Sequence, residues 1–258
     1  MHGELTISIS TVLGFGLTLA RLLGLFIFLP WPGAQAGPSM ARVAFALACT
    51  MALQAKWPVV NGVPGIATLI ALLAGEAAIG LFAGVATAWM GEMFTMGAQA
   101  LSVQAGYSFA STFDPNTQAD SGILQIFAQL TAGLLFFTTG LDRELIRIFA
   151  ASLETCPPGT FVLAPSLVHV LVRLGTEVFA LALRIALPII GLLFLVDLAM
   201  GVVSRVNAQM QMISLSFPVK MLVALIMLAS LLTVFPVLYK QESAHVLQAL
   251  RDHIRAAH

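Results

Sequence analysis

The chain has 258 residues, with 12 basic and 12 acidic side chains and no net charge when its histidines are neutral. Hydrophobic residues make up 59% and charged residues only 9%, and the mean hydropathy is +0.96. Soluble domains carry roughly 25% charged residues, so this chain cannot clothe a globule in polar side chains. Its neutrality also argues against the basic surface that nucleic acid requires. What remains is an all-α, polytopic membrane protein.

A spanning helix takes about 20 largely apolar residues. Six runs approach that length: 11–30, 40–57, 66–90, 122–141, 176–204 and 211–239. The first holds Arg21 and ends at Pro30, before the turn-forming WPGAQAGPS. The second is short and framed by Arg42 and Lys56, whose long stems can snorkel to headgroups. In the third, Gly80, Gly84 and Ala88 recur every four residues. Such a ridge lets another backbone approach closely. It drifts about 40° per repeat and so serves a single crossing. Chance spacing in a helix rich in Ala and Gly is the competing reading.

The rest of the chain is organised around Gly91–Pro115, GEMFTMGAQALSVQAGYSFASTFDP. It lies between long apolar runs yet carries Glu92, Gln99, Gln104 and Asp114 among small residues. Polar groups facing hydrocarbon need an internal partner or water, and a solvated loop would not hold so many Met, Phe and Leu. The expectation is backbone at membrane depth, facing protein or a water-filled path.

Beyond it come GILQIFAQLTAGLLFFTTG, the charged Asp142, Arg143, Glu144 and Arg147, and a loop holding Cys156, Pro157, Pro158 and Gly159. The apolar stretch 161–172 is too short to span and is expected to be interfacial or re-entrant. In the fifth run, Pro188 removes the donor that would bond the Arg184 carbonyl, which predicts a kink or break. Asp197 and Arg205 are eight residues apart and cannot easily pair within one helix. Asp197 therefore needs a partner from another helix, with Arg184, Lys220 and Arg21 as candidates. The polar tail, 240–258, is expected to be helical. Arg and Lys occur in almost every loop, so the positive-inside bias gives no orientation. That diffuse pattern suits a protein assembled deep inside a complex.

Ionisable residues inside apolar runs are functional hypotheses by default, and Arg21, Glu76, Glu92, Arg184, Asp197 and Lys220 qualify. Pairing between helices to fix register accounts for them more simply than an ion or proton pathway, because no two carboxylates share helical spacing on one run. Enzyme readings fail on inventory: His2, His169, His245, His253 and His258 all lie outside the six long runs. Neither a serine nucleophile nor an intramembrane metal finds its histidine there. Cys49 and Cys156 show no metal or disulfide spacing. Met90, Met93 and Met96, then Met200, Met210 and Met212, are core filling or a deformable seal around passing polypeptide.

These segments resemble the FliR family of flagellar biosynthetic proteins and its virulence type III secretion counterparts. The Gly91–Pro115 stretch is similar to the family's central motif, and Arg21, Pro30, Pro38 and Arg42 follow its first-span pattern. LPIIGLLFLVDLAMGVVSRVNAQMQMISLSFPVK is similar to its second signature, with Leu187-Pro188, Asp197, Gly201, Arg205 and Phe217-Pro218 in place. The chain departs at Ala208-Gln209, where relatives carry Pro-Gln, and at Ser216, where they carry Gly. The spelling SV-Q-AGYS is closer to the flagellar branch.

The resemblance implies one export-gate domain over 1–258, with bent helical hairpins around a pore-loop segment, 91–115. It implies FliP- and FliQ-like membrane subunits, other export-apparatus membrane proteins, exported unfolded polypeptides and membrane lipid as partners. It implies no cofactor, and places the chain in the bacterial inner membrane at the flagellar basal body. The family's plug maps onto Gly106, Tyr107, Ser108, Phe109, Phe113 and Asp114, with Glu92, Gln104 and Pro115 anchoring its base. Arg21, Gly80, Gly84, Arg184, Asp197, Gly201, Arg205, Phe217 and Pro218 are then helix-packing or inter-subunit struts. A small-solute or ion transporter is the rival from another class, though no convincing internal repeat relates 1–115 to 120–240.

Overall fold

Helix length separates the apolar runs into those that can cross a bilayer and those that cannot. A computed structural model describes residues 8–29, 39–60, 62–107, 122–158, 165–206 and 212–256. Among them lie α1 (Ile9–Phe28), α2 (Ser39–Ala52), α3 (Ile66–Ala105), α4 (Ile123–Thr138), α5 (Leu141–Thr155), α6 (Pro165–Val206), α7 (Met212–Leu231) and α8 (Phe235–Ala256). No strand occurs among the described residues. The helices α1, α3 and α6 are long and apolar enough to span. The pairs α4–α5 and α7–α8, bent by 62° and 59°, raise the number to five if each pair is one span. The chain is thus an all-α membrane protein.

Individual runs differ from their sequence outline. With 14 residues, α2 rises only about 21 Å, short of the ~30 Å hydrocarbon core. The interval 91–105, expected within a pore-loop segment at membrane depth, continues α3 without interruption. Polar side chains do not demand an irregular backbone, because a helix satisfies its own amides whatever it carries. The stretch 161–172 also differs: from Pro165 onward it is the start of α6. Proline suits a first helical position, where its missing N–H would find no partner anyway. Pro188 lies inside α6 and does not end it.

At 40 and 42 residues, α3 and α6 are each about 60 Å long, twice the hydrocarbon thickness. Each is therefore about twice as long as one crossing of the hydrocarbon requires. The described chain divides into two compact units, and α3, α4, α6 and α8 each contribute residues to both.

The first unit comprises Met1–Trp89, Phe136–Leu174 and Ser243–His258. Its core includes Leu17, Leu22 and Leu25 of α1, Ile79 and Ala83 of α3, and Leu145, Ile148 and Phe149 of α5. The helix α5 is amphipathic, burying Leu141, Leu145, Ile148, Phe149, Ser152 and Leu153, with Asp142 and Glu144 in its first turn. Carboxylates there complement the positive end of the helix dipole. It starts from Gly140, whose φ of 75° is open to glycine and strained for other residues.

The second unit comprises Met90–Leu135 and Gly175–Glu242. Phe94 of α3 packs on Phe235 and Tyr239 of α8, with ring centroids 4.4 and 5.7 Å apart. Met90 and Met93 are buried beside it, ordinary gap filling for a flexible thioether.

Candidate functional site

In the first unit, Arg21 is 1% exposed. Its Nε donates to Glu76 Oε2 at 2.5 Å, Nη1 to Ser152 Oγ at 3.0 Å and Nη2 to the Cys156 carbonyl at 2.9 Å. The Ser152 hydroxyl in turn donates a hydrogen bond to the Phe149 carbonyl. One guanidinium thus ties α1, α3, α5 and the residue capping α5. Glycines make this approach possible. A Cβ at Gly24 would lie 2.7 Å from the Ala77 carbonyl oxygen, and one at Gly84 2.8 Å from that of Leu25; one at Gly80 would overlap the Arg21 carbonyl. A buried ion pair is tolerable only when geometry and extra hydrogen bonds offset desolvation. Arg21 meets that condition, and its place is architectural.

In the second unit, Lys220 Nζ of α7 donates to Asp197 Oδ2 of α6 at 2.9 Å. Of the three candidate partners for Asp197, the structure selects Lys220. The lysine side chain is 11% exposed and the aspartate 38%, so this pair is partly open where the Arg21 centre is sealed.

The end of α3 carries the most distinctive backbone. Gly106 has φ of +86°. Its N–H donates to the Val103 carbonyl and that of Tyr107 to the Ser102 carbonyl, at 3.2 and 3.0 Å. These two bonds, with a left-handed glycine between them, are the Schellman closure of a helix. Phe217 of α7 covers it: a Cβ on Gly106 would lie 2.6 Å from the Phe217 ring. The Tyr107 hydroxyl donates to the Met221 carbonyl at 3.1 Å. Burial raises the Tyr107 phenol above its ordinary value.

The chain returns at Gly122, where a Cβ would lie 2.5 Å from Ser102 Oγ. Gly106, Tyr107 and Gly122 therefore all lie at the last turns of α3. Ser108, Phe109, Phe113, Asp114 and Pro115 lie outside the described residues.

Glu92, Met96, Gln99 and Val103 are exposed, and their spacing of four, three and four residues places them on one face of α3. Thr95 donates to Glu92 Oε2 at 2.6 Å, while Gln104 is half-buried in the last turn. Arg184 and Arg205 are exposed on α6 and have no acidic partner among the described residues. A Cβ on Gly201 would meet nothing within 4 Å, so no close approach within the described chain requires that glycine. Pro218 is exposed inside α7.

Sequence reasoning missed Ser152 and the Cys156 carbonyl as the rest of the Arg21 shell. A lone arginine in an apolar run announces that acceptors exist without saying where. It also missed Phe217 as the cover of Gly106; the only sequence signal is a glycine at a helix end.

The profile of the family described as "Bacterial export proteins, family 1" matches residues 12–246. The chain is 25% identical to flagellar biosynthetic protein FliR of Escherichia coli over 237 residues, covering 92% of this chain and 90% of that one. It is 23% identical to FliR of Bacillus subtilis over 246 residues, 92% and 93% of the two chains. It is 28% identical to surface presentation of antigens protein SpaR of Salmonella typhimurium over 232 residues, 88% and 84%. With a match that takes in every helix core described above, the chain belongs to the bacterial export proteins of family 1.

Proposed function

We propose that this chain is a subunit of the membrane export gate of a flagellar type III secretion system. It assembles with FliP- and FliQ-like subunits in the bacterial inner membrane, helps form the channel for unfolded flagellar proteins, and supplies part of its closure. The observation that carries the reading is the exposed face of Glu92, Met96, Gln99 and Val103 at the end of α3, just before the Gly106 cap. The chain leaves α3 through the Gly106 cap under Phe217 and returns at Gly122 against Ser102. In this reading Tyr107, Phe109 and Phe113 close the resting pore, and the small residues between them let the loop swing aside.

The exposed faces support a subunit. On α6, Phe179, Leu183, Leu187, Phe194, Leu198 and Val202 are exposed at spacings that share one helix face, and Arg184 falls within that face. An arginine turned to lipid at a helix centre costs about 2.5–3.5 kcal/mol on insertion scales; a neighbouring subunit removes that cost. Arg184 and Arg205 are thus inter-subunit struts, and the Glu92–Val103 face of α3 borders the conduit.

Co-expression with FliP- and FliQ-like chains and purification in mild detergent tests the assembly. The three are expected to elute as one complex. Elution of this chain alone or as a homo-oligomer, with solute uptake in liposomes, would establish a transporter instead. Within the complex, deleting 106–114 should raise ion leak across the membrane; an unchanged leak removes the plug assignment.

A further inference from the structure

Outside the elements assigned to export, the first unit contains an open cavity of about 300 Å³ between α5 and the end of α8, lined by Glu144, Arg147, Ser152, Thr155 and Arg251 among others. Its charge does not balance. Arg147 Nη1 donates to Glu144 Oε1 at 2.9 Å, and Arg251 Nη2 donates to Glu144 Oε2 at 2.6 Å. One carboxylate thus holds two guanidinium groups, leaving one positive charge in the lining. The hydroxyls there are already engaged, Ser152 with Arg21 and Phe149, and Thr155 with the Ala151 carbonyl. The neighbouring Lys56–Glu154 pair is self-neutralising.

Each arginine uses one N–H on Glu144 and keeps further donors on a planar fork. Such forks suit the tetrahedral oxygens of phosphate, which accept paired, charge-assisted hydrogen bonds. The side chains are 74% exposed for Arg147 and 49% for Arg251, so a ligand reaches them without unfolding the unit. Glu144 holds the two cations side by side against their mutual repulsion.

We propose that Arg147 and Arg251, spaced by Glu144, form a binding site for a phosphate group. The same chemistry is offered by an anionic phospholipid headgroup and by a free phosphate in solution, and the site sits where an amphipathic helix meets a polar helix end.

The test uses the purified full-length chain. Binding of inorganic phosphate is measured calorimetrically in a neutral detergent, and binding of phosphatidylglycerol by transfer to nanodiscs containing it or phosphatidylcholine alone. The Arg147→Gln/Arg251→Gln double variant is expected to weaken binding by about tenfold or more, as loss of two charge-assisted pairs implies. Arg143→Gln, an exposed arginine of α5 outside the cavity, keeps wild-type affinity and controls for net charge. The single Arg147→Gln, which alters a mostly exposed side chain, separates lost binding from lost folding. Affinity for both probes identifies a site open to soluble phosphate; affinity for phosphatidylglycerol only identifies a headgroup site. Equal binding by wild type and the double variant, or an equal loss in Arg143→Gln, overturns the proposal.

Discussion

The two units solve the same problem, a charge inside apolar sequence, in different ways. In one, Arg21 is fully enclosed and uses three donor groups on a carboxylate, a hydroxyl and a carbonyl. In the other, Lys220 pairs with Asp197, whose side chain is 38% exposed. The closed centre is built for permanence, because each hydrogen bond it loses exposes an uncompensated buried charge. The half-open pair leaves lone pairs free for water, a neighbouring subunit or rearrangement. Backbone geometry follows the same division: three glycines lock α1 against α3, whereas the end of α3 is a left-handed cap beneath one aromatic ring.

That contrast is broken most severely at Arg21. Arg21→Met leaves Glu76 buried and unpaired and should cost about 3–5 kcal/mol, read as loss of the folded chain in detergent extracts. The double change Arg21→Met/Glu76→Leu should recover much of it, since apolar replacement of both partners removes the stranded charge. Next comes the helix crossing. Gly80→Val forces side-chain atoms into the Arg21 carbonyl and should destabilise by about 1–3 kcal/mol or more, measured as a lower thermal midpoint.

Smaller again is Gly106→Ala. It places an L-residue in the left-handed region, costing about 1–2 kcal/mol, and presses its methyl on Phe217. Adding Phe217→Leu should relieve the contact but not the backbone strain, so recovery stops part-way. Full recovery would show that the left-handed geometry is dispensable. The smallest effect is expected at Lys220→Met. With a partly solvated partner, the isolated chain should lose no more than about 1 kcal/mol. A larger export defect than stability defect there would mark the pair as working in the assembly.

Much of this is legible in the amino-acid sequence itself. Low charge dictated membrane helices, the four-residue glycine ridge marked the side of α3 that meets α1, and isolation of Asp197 demanded a partner on another helix. The partner was Lys220 because α6 and α7 are consecutive and close, a tertiary fact that narrowed three candidates to one. The continuity of α3 through 91–105 is hidden in the sequence because polar side chains between apolar runs look the same in a pore loop and in a helix. Glu92, Met96, Gln99 and Val103 instead form one exposed face of a regular helix. The stretch 161–172 looks too short to span alone, yet from Pro165 it opens a 42-residue helix. The shell of Arg21 could not be read at all, since a backbone carbonyl such as that of Cys156 leaves no mark in sequence.

Everything rests on the exposed face at the end of α3 bordering an aqueous passage. With Cys49 and Cys156 replaced by alanine, Gln99→Cys in the membrane-embedded complex can be probed with a charged, membrane-impermeant thiol reagent and a lipid-soluble one. The account predicts rapid reaction with the charged reagent and a change in ion leak once it is attached. Labelling by the lipid-soluble reagent alone, or by neither, would place that face against acyl chains or inside a closed bundle and contradict it.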